Sequence, residues 1–209
     1  MPVDAPVYPV GLLLRGRRCL VVGGGTVAAR KAGGLVEAEA EVHVVAREVL
    51  PAMRQVAGLA RVEERPYQEG EAAGYWLVMA ATGDPSVNQA VFDDAEAAGV
   101  WVNSADDPER CSVILPAVAR QGPVSVAVST SGYSPALASW LKGHAAEHMG
   151  PELARLAEML AGARAELKAA GRSTEDVDWR PALSWAMLDL IKEGRLTEAK
   201  ERLEACLSQ

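Results

Sequence analysis

The sequence predicts an α/β protein that begins with a doubly wound parallel sheet. Short apolar runs rich in Val alternate with longer Ala-rich stretches of helical composition, which is typical of successive βαβ units. Apolar residues follow one another within each run almost without interruption, as expected for parallel strands covered by helices on both faces. Beyond residue 150 only helical stretches follow. These observations favour a Rossmann-like sheet, then a β-α segment, then a small all-helical C-terminal module.

The sheet is predicted to have about five strands. The apolar runs that predict them are residues 19–22, 42–46, 61–65, 75–81 and 100–103. Helical composition predicts helices over residues 27–39 and 86–98. Asp84 and Pro85 suit the N-cap and the first turn of the second helix.

The connecting segment has a different character. Two further β-like runs, residues 112–115 and 124–130, lie on either side of a Gln121-Gly122-Pro123 turn, and Ser134-Pro135 begins a helix that runs to about residue 149. Helices are then predicted over residues 151–170, 179–191 and 196–207. We therefore expect three parts, which are residues 1–112, 113–149 and 150–209.

Composition excludes several classes of protein. The chain has 209 residues, 49% of them hydrophobic and 23% charged, and a formal net charge of −7. This is the balance of a globular protein, and it leaves no basic face for nucleic acid. Its three cysteines are far apart and form no C-x-x-C pair, so we expect neither a disulfide framework nor a zinc knuckle. We expect a cytoplasmic protein without a signal peptide or membrane span.

The sharpest motif follows the first predicted strand. Gly23-Gly24-Gly25-Thr26-Val27-Ala28 fits G-x-G-x-x-A at the start of a helix. The first glycine permits a tight turn, the second leaves room for a pyrophosphate, and the small Ala28 lets helix and strand approach each other. The N-terminus of the helix offers free N–H groups to phosphates. The motif predicts dinucleotide binding, although glycines at strand ends also serve in ordinary turns.

The end of the second strand departs from the usual pattern. An acidic residue that would bind the ribose 2′-hydroxyl is missing, and the run ends Ala46-Arg47-Glu48. Arg47 would accommodate the 2′-phosphate of NADP, whereas Glu48 comes slightly late for NAD. The alternative is an exposed charge pair that opens the next helix.

Other polar residues follow the later strands. Thr82 and Asp106 lie at predicted carboxyl ends of parallel strands, where open α/β sheets bind ligands. Asp106 is a candidate acid or base, and the alternative is that it caps the turn before Pro108. His144 and His148 are spaced for one helix face, without a third ligand to complete a metal site. A turn rich in hydroxyl groups could hold a carboxylate or phosphate; it contains Ser129, Thr130, Ser131 and Ser134.

Five groups of residues occur in one order along the chain. They are residues 19–31 (CLVVGGGTVAARK), 80–82 with 87–89, 102–103 with 106–108, 116–117, and 129–135. Together they closely resemble the precorrin-2 dehydrogenase family. This family includes stand-alone enzymes, bifunctional dehydrogenase/ferrochelatases and the N-terminal module of siroheme synthase. The resemblance covers about the first 145 residues.

The resemblance implies NAD-dependent oxidation of precorrin-2 to sirohydrochlorin, in the biosynthesis of sirohaem or related tetrapyrroles. It also implies a homodimer formed through residues 113–149. The family's essential aspartate maps to Asp106, and no resident metal is expected. The cofactor-binding positions map to Gly23, Gly24, Gly25, Thr26 and Val27, with Arg47 and Glu48 on the adenosine side. Thr82, at the end of a strand, is a further candidate for binding the cofactor.

Precorrin-2 is a polycarboxylate, so a chain of net charge −7 needs basic groups concentrated near the substrate. The candidate substrate-binding residues are Arg110, Arg120, Lys142, Ser129 and Ser131. Three alternatives stay open at this point. The protein could also insert iron into sirohydrochlorin, it could be a non-catalytic module that senses NAD(H), or it could chiefly be a ferrochelatase or tetrapyrrole carrier.

Overall fold

The computed structural model describes residues 6–207. Their contacts form two compact units. The first contains the residues up to Leu115 together with Ser131–Ser134, and the second contains Pro116–Thr130 together with the chain from Pro135 onwards. The β-α segment is therefore grouped with the C-terminal helices by its contacts. A separate dimer-forming role for residues 113–149 stays a prediction.

The first unit is a five-stranded parallel sheet of order β3-β2-β1-β4-β5. Its strands are β1 (Arg18–Val22), β2 (Glu41–Ala46), β3 (Arg61–Glu64), β4 (Leu77–Ala80) and β5 (Trp101–Ser104), and its helices are α1 (Thr26–Glu37), α2 (Pro51–Arg54) and α3 (Pro85–Ala97). The prediction of a doubly wound sheet is confirmed. The order of the strands reverses between β1 and β4, and such a switch point is where open α/β sheets bind ligands.

Both faces of this sheet are buried, which explains the continuous apolar runs. On one face Cys19, Val21 and Val44 pack in the cluster that holds Ala28 and Ala32 of α1. The opposite face belongs to a second cluster that includes α3; its members include Leu20, Val22, Val78, Val91 and Val102. Successive residues of one strand thus enter different halves of the core, and each half requires an apolar side chain.

The helix α3 begins as predicted. Asp84 is its N-cap and accepts a hydrogen bond from the Ser86 N–H at 3.0 Å, and Pro85 occupies the first turn. This cap has a functional consequence, because Asp84 also stands at the carboxyl end of the sheet.

The predicted strand at residues 112–115 is wrong. Cys111 makes only an isolated bridge with Asn103, and the N–H groups of Ser112 and Val113 both donate to Val102 O. The strand that pairs with β7 (Val124–Val128) is β6 (Ala117–Gln121). Pairing of Gln121 with Val124 leaves a two-residue turn, and Gly122 at φ 56° supplies the first-position glycine of a type II′ hairpin. The geometry of the turn, rather than the run of apolar residues, therefore determines which residues form β6 and pair with β7.

The second unit adds four helices to the β6–β7 hairpin. They are α4 (Pro135–Glu147), α5 (Pro151–Ala169), α6 (Trp185–Lys192) and α7 (Leu196–Leu207). The helix predicted over 179–191 is wrong in its first part, because Arg180–Ala182 is a 3₁₀ turn and Ser184 caps α6 by accepting from the Met187 N–H. Buried side chains of α5, α6 and α7 form one core; they include Leu156, Ala163, Met187, Ile191 and Leu203.

Between residues 6 and 207, no helix is both long enough and apolar enough to cross a membrane.

Candidate functional site

A cleft of about 350 Å³ opens at the carboxyl ends of β1, β2 and β4. Three loops enclose it, namely the glycine loop after β1, the Arg47-Glu48 turn after β2 and the Thr82-Gly83-Asp84 turn after β4. The structure therefore brings together most of the cofactor-binding residues predicted from the sequence. The lining residues are Val22, Gly23, Gly24, Gly25, Val45, Ala46, Arg47, Glu48, Tyr67, Ala81, Thr82, Gly83, Asp84 and Val87.

The three glycines of the loop have different roles. A Cβ on Gly23 would overlap Ala81 O, and Gly23 also has a φ of 130°. A Cβ on Gly24 would overlap Glu48 O. By contrast, a Cβ on Gly25 would meet no atom within 4 Å. Gly23 and Gly24 are thus needed for the chain's own packing, whereas Gly25 keeps space free beside the cleft.

The helix α1 begins directly after this loop without a side-chain cap. Gly25 is its N-cap residue and makes no capping hydrogen bond through a side chain. The first N–H groups of an α-helix have no partner within the helix, so this end carries free donors and a partial positive charge. Thr26 and Val27 are exposed there, and Ala28 is fully buried against the sheet. This arrangement can accept the phosphates of a dinucleotide.

A charged pair spans the mouth of the cleft. Arg47 Nη1 lies 3.7 Å from Asp84 Oδ2, and both side chains are substantially exposed. Hydrogen bonds from Ser86, followed by the charge of Arg47, hold the pKa of Asp84 below its ordinary value. Glu48 is exposed beside Arg47. One guanidinium and two carboxylates therefore stand where the adenosine side of a dinucleotide is expected.

Asn88, for which no role was predicted, fixes the loop that follows β4. Asn88 Oδ1 accepts from Thr82 Oγ1 at 2.7 Å and from Thr82 N–H at 3.2 Å, while Asn88 Nδ2 donates to Thr82 O at 3.2 Å. The Thr82 hydroxyl also accepts from the Asp84 N–H at 3.1 Å. Thr82 thus shapes the loop that lines the cleft. The sequence feature that could have predicted this contact is the spacing of six residues between Thr82, at the end of β4, and Asn88, in the first turns of α3.

Tyr67 lines the cleft, although no role was predicted for it from the sequence. It lies in the connection between β3 and β4, and its hydroxyl donates to Asp94 Oδ2 at 2.7 Å and accepts from the Ala72 N–H at 3.1 Å. Burial, then the hydrogen bond to Asp94, raise the pKa of Tyr67. The phenol is therefore anchored in its neutral form, and its ring supplies an apolar wall suited to a planar base.

Asp106 lies on the loop after β5, the strand next to β4. It is exposed and has a φ of 59°, in the left-handed region. The Ala105 N–H donates to Ala80 O at 2.8 Å, which ties the start of this loop to the end of β4. A non-glycine residue persists in this conformation where surrounding contacts hold it, and such residues cluster at functional sites. The exposed carboxylate is free to meet a ligand at the carboxyl edge of the sheet.

The predicted substrate-binding residues fall in both units. Arg110 is in the first unit, where it pairs with Asp107 and donates to Gln89 Oε1. Ser131 also belongs to the first unit and has a φ of 49°. The other three lie in the second unit, where Ser129 and Arg120 are exposed and Lys142 is partly buried.

His144 lies on α4, whereas His148 lies in the turn that follows the last residue of that helix, Glu147, so the prediction that one helix holds both histidines is wrong for His148. The His144 ring packs on Trp140 with ring centroids 4.1 Å apart. Over residues 6–207, no group of three or more His, Cys, Asp or Glu side chains is arranged to hold a metal ion.

Comparison with known proteins agrees with this geometry. A family model for NAD(P)-binding domains matches residues 10–117, and a model for the central domain of sirohaem biosynthesis proteins matches residues 121–144. The siroheme synthase of Nitrosococcus oceani is 37% identical over 203 residues, and that of Azotobacter vinelandii is 37% identical over 202 residues. These alignments cover 95% and 93% of this chain, and the chain spans 43% of each relative.

A solved structure is similar over nearly the whole chain. SirC, a precorrin-2 dehydrogenase, superposes with a TM-score of 0.72 at 26% sequence identity, covering 97% of this chain and 100% of SirC. The family model covers more than half of the present sequence, and its residues include the glycine loop, the whole parallel sheet and the Asp106 loop. The chain belongs to this NAD(P)-binding family.

Proposed function

We propose that the protein is a precorrin-2 dehydrogenase that uses NAD⁺ to form sirohydrochlorin. The observation that carries this proposal is the pairing of two features at one edge of the sheet, the glycine-lined cleft and the exposed Asp106 on the adjacent strand end. The likeness to SirC along the whole chain and the identity with siroheme synthases support the same reaction. A module that only sensed NAD(H) would have no need for Asp106.

The cleft fits a dinucleotide. Gly25 leaves open space where a side chain would stand, and the uncapped N-terminus of α1 offers N–H donors to a pyrophosphate. Tyr67 and Val87 supply apolar surface in the same cleft. A bound nicotinamide dinucleotide supplies the hydride acceptor.

The charges at the mouth favour NAD⁺ over NADP⁺. Arg47 is already paired with Asp84, and Glu48 adds a second carboxylate beside it. A 2′-phosphate would therefore meet one guanidinium and two negative charges. The 2′-hydroxyl of NAD⁺ avoids this repulsion and can donate to either carboxylate.

Asp106 has a simple task in this reaction. Oxidation of precorrin-2 removes one hydride and one proton, and the hydride leaves with the cofactor. The Asp106 carboxylate accepts the proton from the macrocycle, or stabilises the positive charge that develops before the proton leaves. Its exposure and its place beside the end of β4 give it access to a ligand at the edge of the sheet.

The polycarboxylate substrate requires local cations in a chain whose net charge is −7. In the first unit our candidates for binding the substrate are Arg110 and the Ser131 hydroxyl group. In the second unit they are Arg120, Lys142 and the Ser129 hydroxyl group. Arg110 lies four residues from Asp106 and retains guanidinium N–H groups beyond those that bind Asp107 and Gln89.

We also propose that the protein is a homodimer formed through residues 113–149 and works in the cytoplasm. Within residues 6–207 the sheet of β6 and β7 has two strands, so each strand has one edge without a strand partner there. Exposed apolar side chains lie nearby in the sequence of this unit; Val126, Trp140 and Leu141 are 36%, 56% and 38% exposed. A second copy of the segment would cover them.

The proposed location in the cytoplasm is supported by the cysteines. Cys19, Cys111 and Cys206 are free thiols, which suits a reducing compartment.

Two glycine substitutions separate packing from nucleotide binding. We expect Gly24→Ala to lower the free energy of unfolding by about 1–3 kcal/mol, because its Cβ overlaps Glu48 O. Gly25→Asp should leave that free energy within about 0.5 kcal/mol, since the site is open and Asp is a good N-cap. Its carboxylate should nevertheless abolish NAD⁺ binding. Urea unfolding and calorimetric titration with NAD⁺ measure the two effects, and unchanged affinity in Gly25→Asp would show that the loop is only a turn.

The reaction itself is tested anaerobically with precorrin-2 and NAD⁺, by following NADH and the sirohydrochlorin spectrum together. We expect the folded protein to form both in equal amounts. Asp106→Ala should retain NAD⁺ affinity and lose about 10²-fold or more in kcat, as is typical of a positioned acid-base group. Glu109→Ala is the matched control on an exposed neighbouring carboxylate. Absence of turnover by the unmodified protein would refute the proposed reaction.

Asp84→Asn tests the choice of cofactor. Asn caps a helix as well as Asp does, so α3 should keep its start, while Arg47 loses its carboxylate partner. We expect the Kd for NADP⁺ to fall about tenfold, a change of about 1.4 kcal/mol, and the Kd for NAD⁺ to change much less. Equal changes for the two nucleotides, measured by titration, would contradict a role for this ion pair in cofactor selection.

The dimer is tested by measuring mass in solution. We expect sedimentation equilibrium to give twice the chain mass of 22.1 kDa, and Trp140→Glu to weaken self-association by placing a charge on the exposed apolar surface. Ser139→Glu adds the same charge at the neighbouring exposed position of α4 and serves as the control. A monomer mass at all concentrations would contradict the proposed assembly.

A further inference from the structure

Lys31 is a cation inside the first unit that none of the functions above uses. It lies on α1, is partly buried, and its Nζ donates to Asn103 Oδ1 at 2.6 Å. No ion pair joins it to a carboxylate in the part of the chain that the structure describes, residues 6–207. Burial lowers the pKa of Lys31, against the opposing influence of Cys111 and Asp106. A partly buried cation whose only hydrogen-bond partner is a neutral amide is poorly explained by stability alone, because no salt bridge offsets its desolvation and the charges of Cys111 and Asp106 oppose that desolvation only in part.

The partner amide belongs to a buried residue of β5. Asn103 is 6% exposed, and its Nδ2 donates to Val113 O at 2.8 Å and approaches Cys111 Sγ at 3.6 Å. A carboxamide has an acceptor at one end and donors at the other, whereas an ammonium only donates. Lys31 therefore fixes Asn103 Oδ1 towards α1, and this directs Nδ2 to the segment that returns after Asp106.

That returning segment closes the loop on which Asp106 lies. The N–H groups of Ser112 and Val113 donate to Val102 O, and the Ser112 hydroxyl accepts from the Val102 N–H at 2.9 Å. Cys111 Sγ accepts from the Ser104 N–H at 3.2 Å. A regular hairpin would close such a loop with a ladder of backbone hydrogen bonds. Here an isolated bridge between Asn103 and Cys111, the two backbone hydrogen bonds to Val102 O and these side-chain contacts close it instead.

We propose that Lys31 is a positioning residue for Asp106, acting through Asn103 on the closure of the loop from Ser104 to Val113. The ammonium selects one orientation of the Asn103 amide, the amide binds Val113 O, and the closed loop holds Asp106 at its left-handed φ. The role of Asp106 in the oxidation of precorrin-2 rests on the proposed function. The link from Lys31 to the loop rests on contacts alone.

The first experiment measures the loop without any substrate. Lys31→Met keeps a long apolar side chain and removes the donor, and Lys31→Gln retains a neutral donor. Arg30→Met removes an exposed cation from the same helix and is the control. We expect Lys31→Met to accelerate hydrogen exchange of the Ser104, Ser112 and Val113 amides about tenfold, with no change in β1. Lys31→Gln should restore part of the protection. Unchanged exchange in folded Lys31→Met would overturn the proposal.

The second experiment asks whether Lys31 acts through Asp106. In NAD⁺-dependent oxidation of precorrin-2, we expect Lys31→Met to lower kcat about tenfold, or about 1.4 kcal/mol, with KM for NAD⁺ within about twofold. In an Asp106→Ala background the same substitution should have no further effect, because the residue that it positions is gone. Equal losses in both backgrounds would overturn the positioning role. If the unmodified protein oxidises no precorrin-2, the proposed function fails, and hydrogen exchange still decides whether Lys31 closes the loop.

Discussion

The close approach of the glycine backbone after β1 to two neighbouring loops is the constraint on which the cleft depends. Gly23 lies against Ala81 O, and Gly24 lies against Glu48 O, in each case without room for a Cβ. These contacts draw the ends of β1, β2 and β4 together, so that one cavity is lined by all three loops. Gly25, the next residue, faces open space. The same short motif thus lets three loops pack closely together and leaves room for a ligand beside them.

Two asparagines then fix the loops that follow β4 and β5. Asn88 uses both ends of its carboxamide on Thr82, and this shapes the wall of the cleft. Asn103 uses both ends of its carboxamide to join Lys31 and Val113 across the base of the Asp106 loop. In each case a neutral side chain with a donor and an acceptor holds backbone that has no strand partner. A carboxylate of similar size could replace only the accepting oxygen of either carboxamide, and an apolar residue could replace neither end.

The fold was largely predictable because its signals are local. Continuous apolar runs predict strands that are covered on both faces, and the glycine motif places the ligand edge of the sheet. The prediction of a strand at residues 112–115 failed because a loop that contains consecutive apolar residues has the same composition as a strand; here Val113 packs against the core, whereas Leu115 is exposed. The pairing of β6 with β7 instead follows from Gly122, whose positive φ sets a two-residue turn and therefore the register. Turn conformation is a backbone property that apolar periodicity does not report.

The sequence by itself determined the class of the fold, the place of the glycine loop and the residue types available at the carboxyl edge, because these depend on patterns within about ten residues of each other. Only the tertiary structure decided which of those residues meet. Tyr67 reaches the cleft across the sheet, Arg47 pairs with Asp84, and Lys31 contacts Asn103 at a separation of 72 residues. Such contacts arise from strand order and helix packing, which bring distant segments together without leaving a local pattern in the sequence.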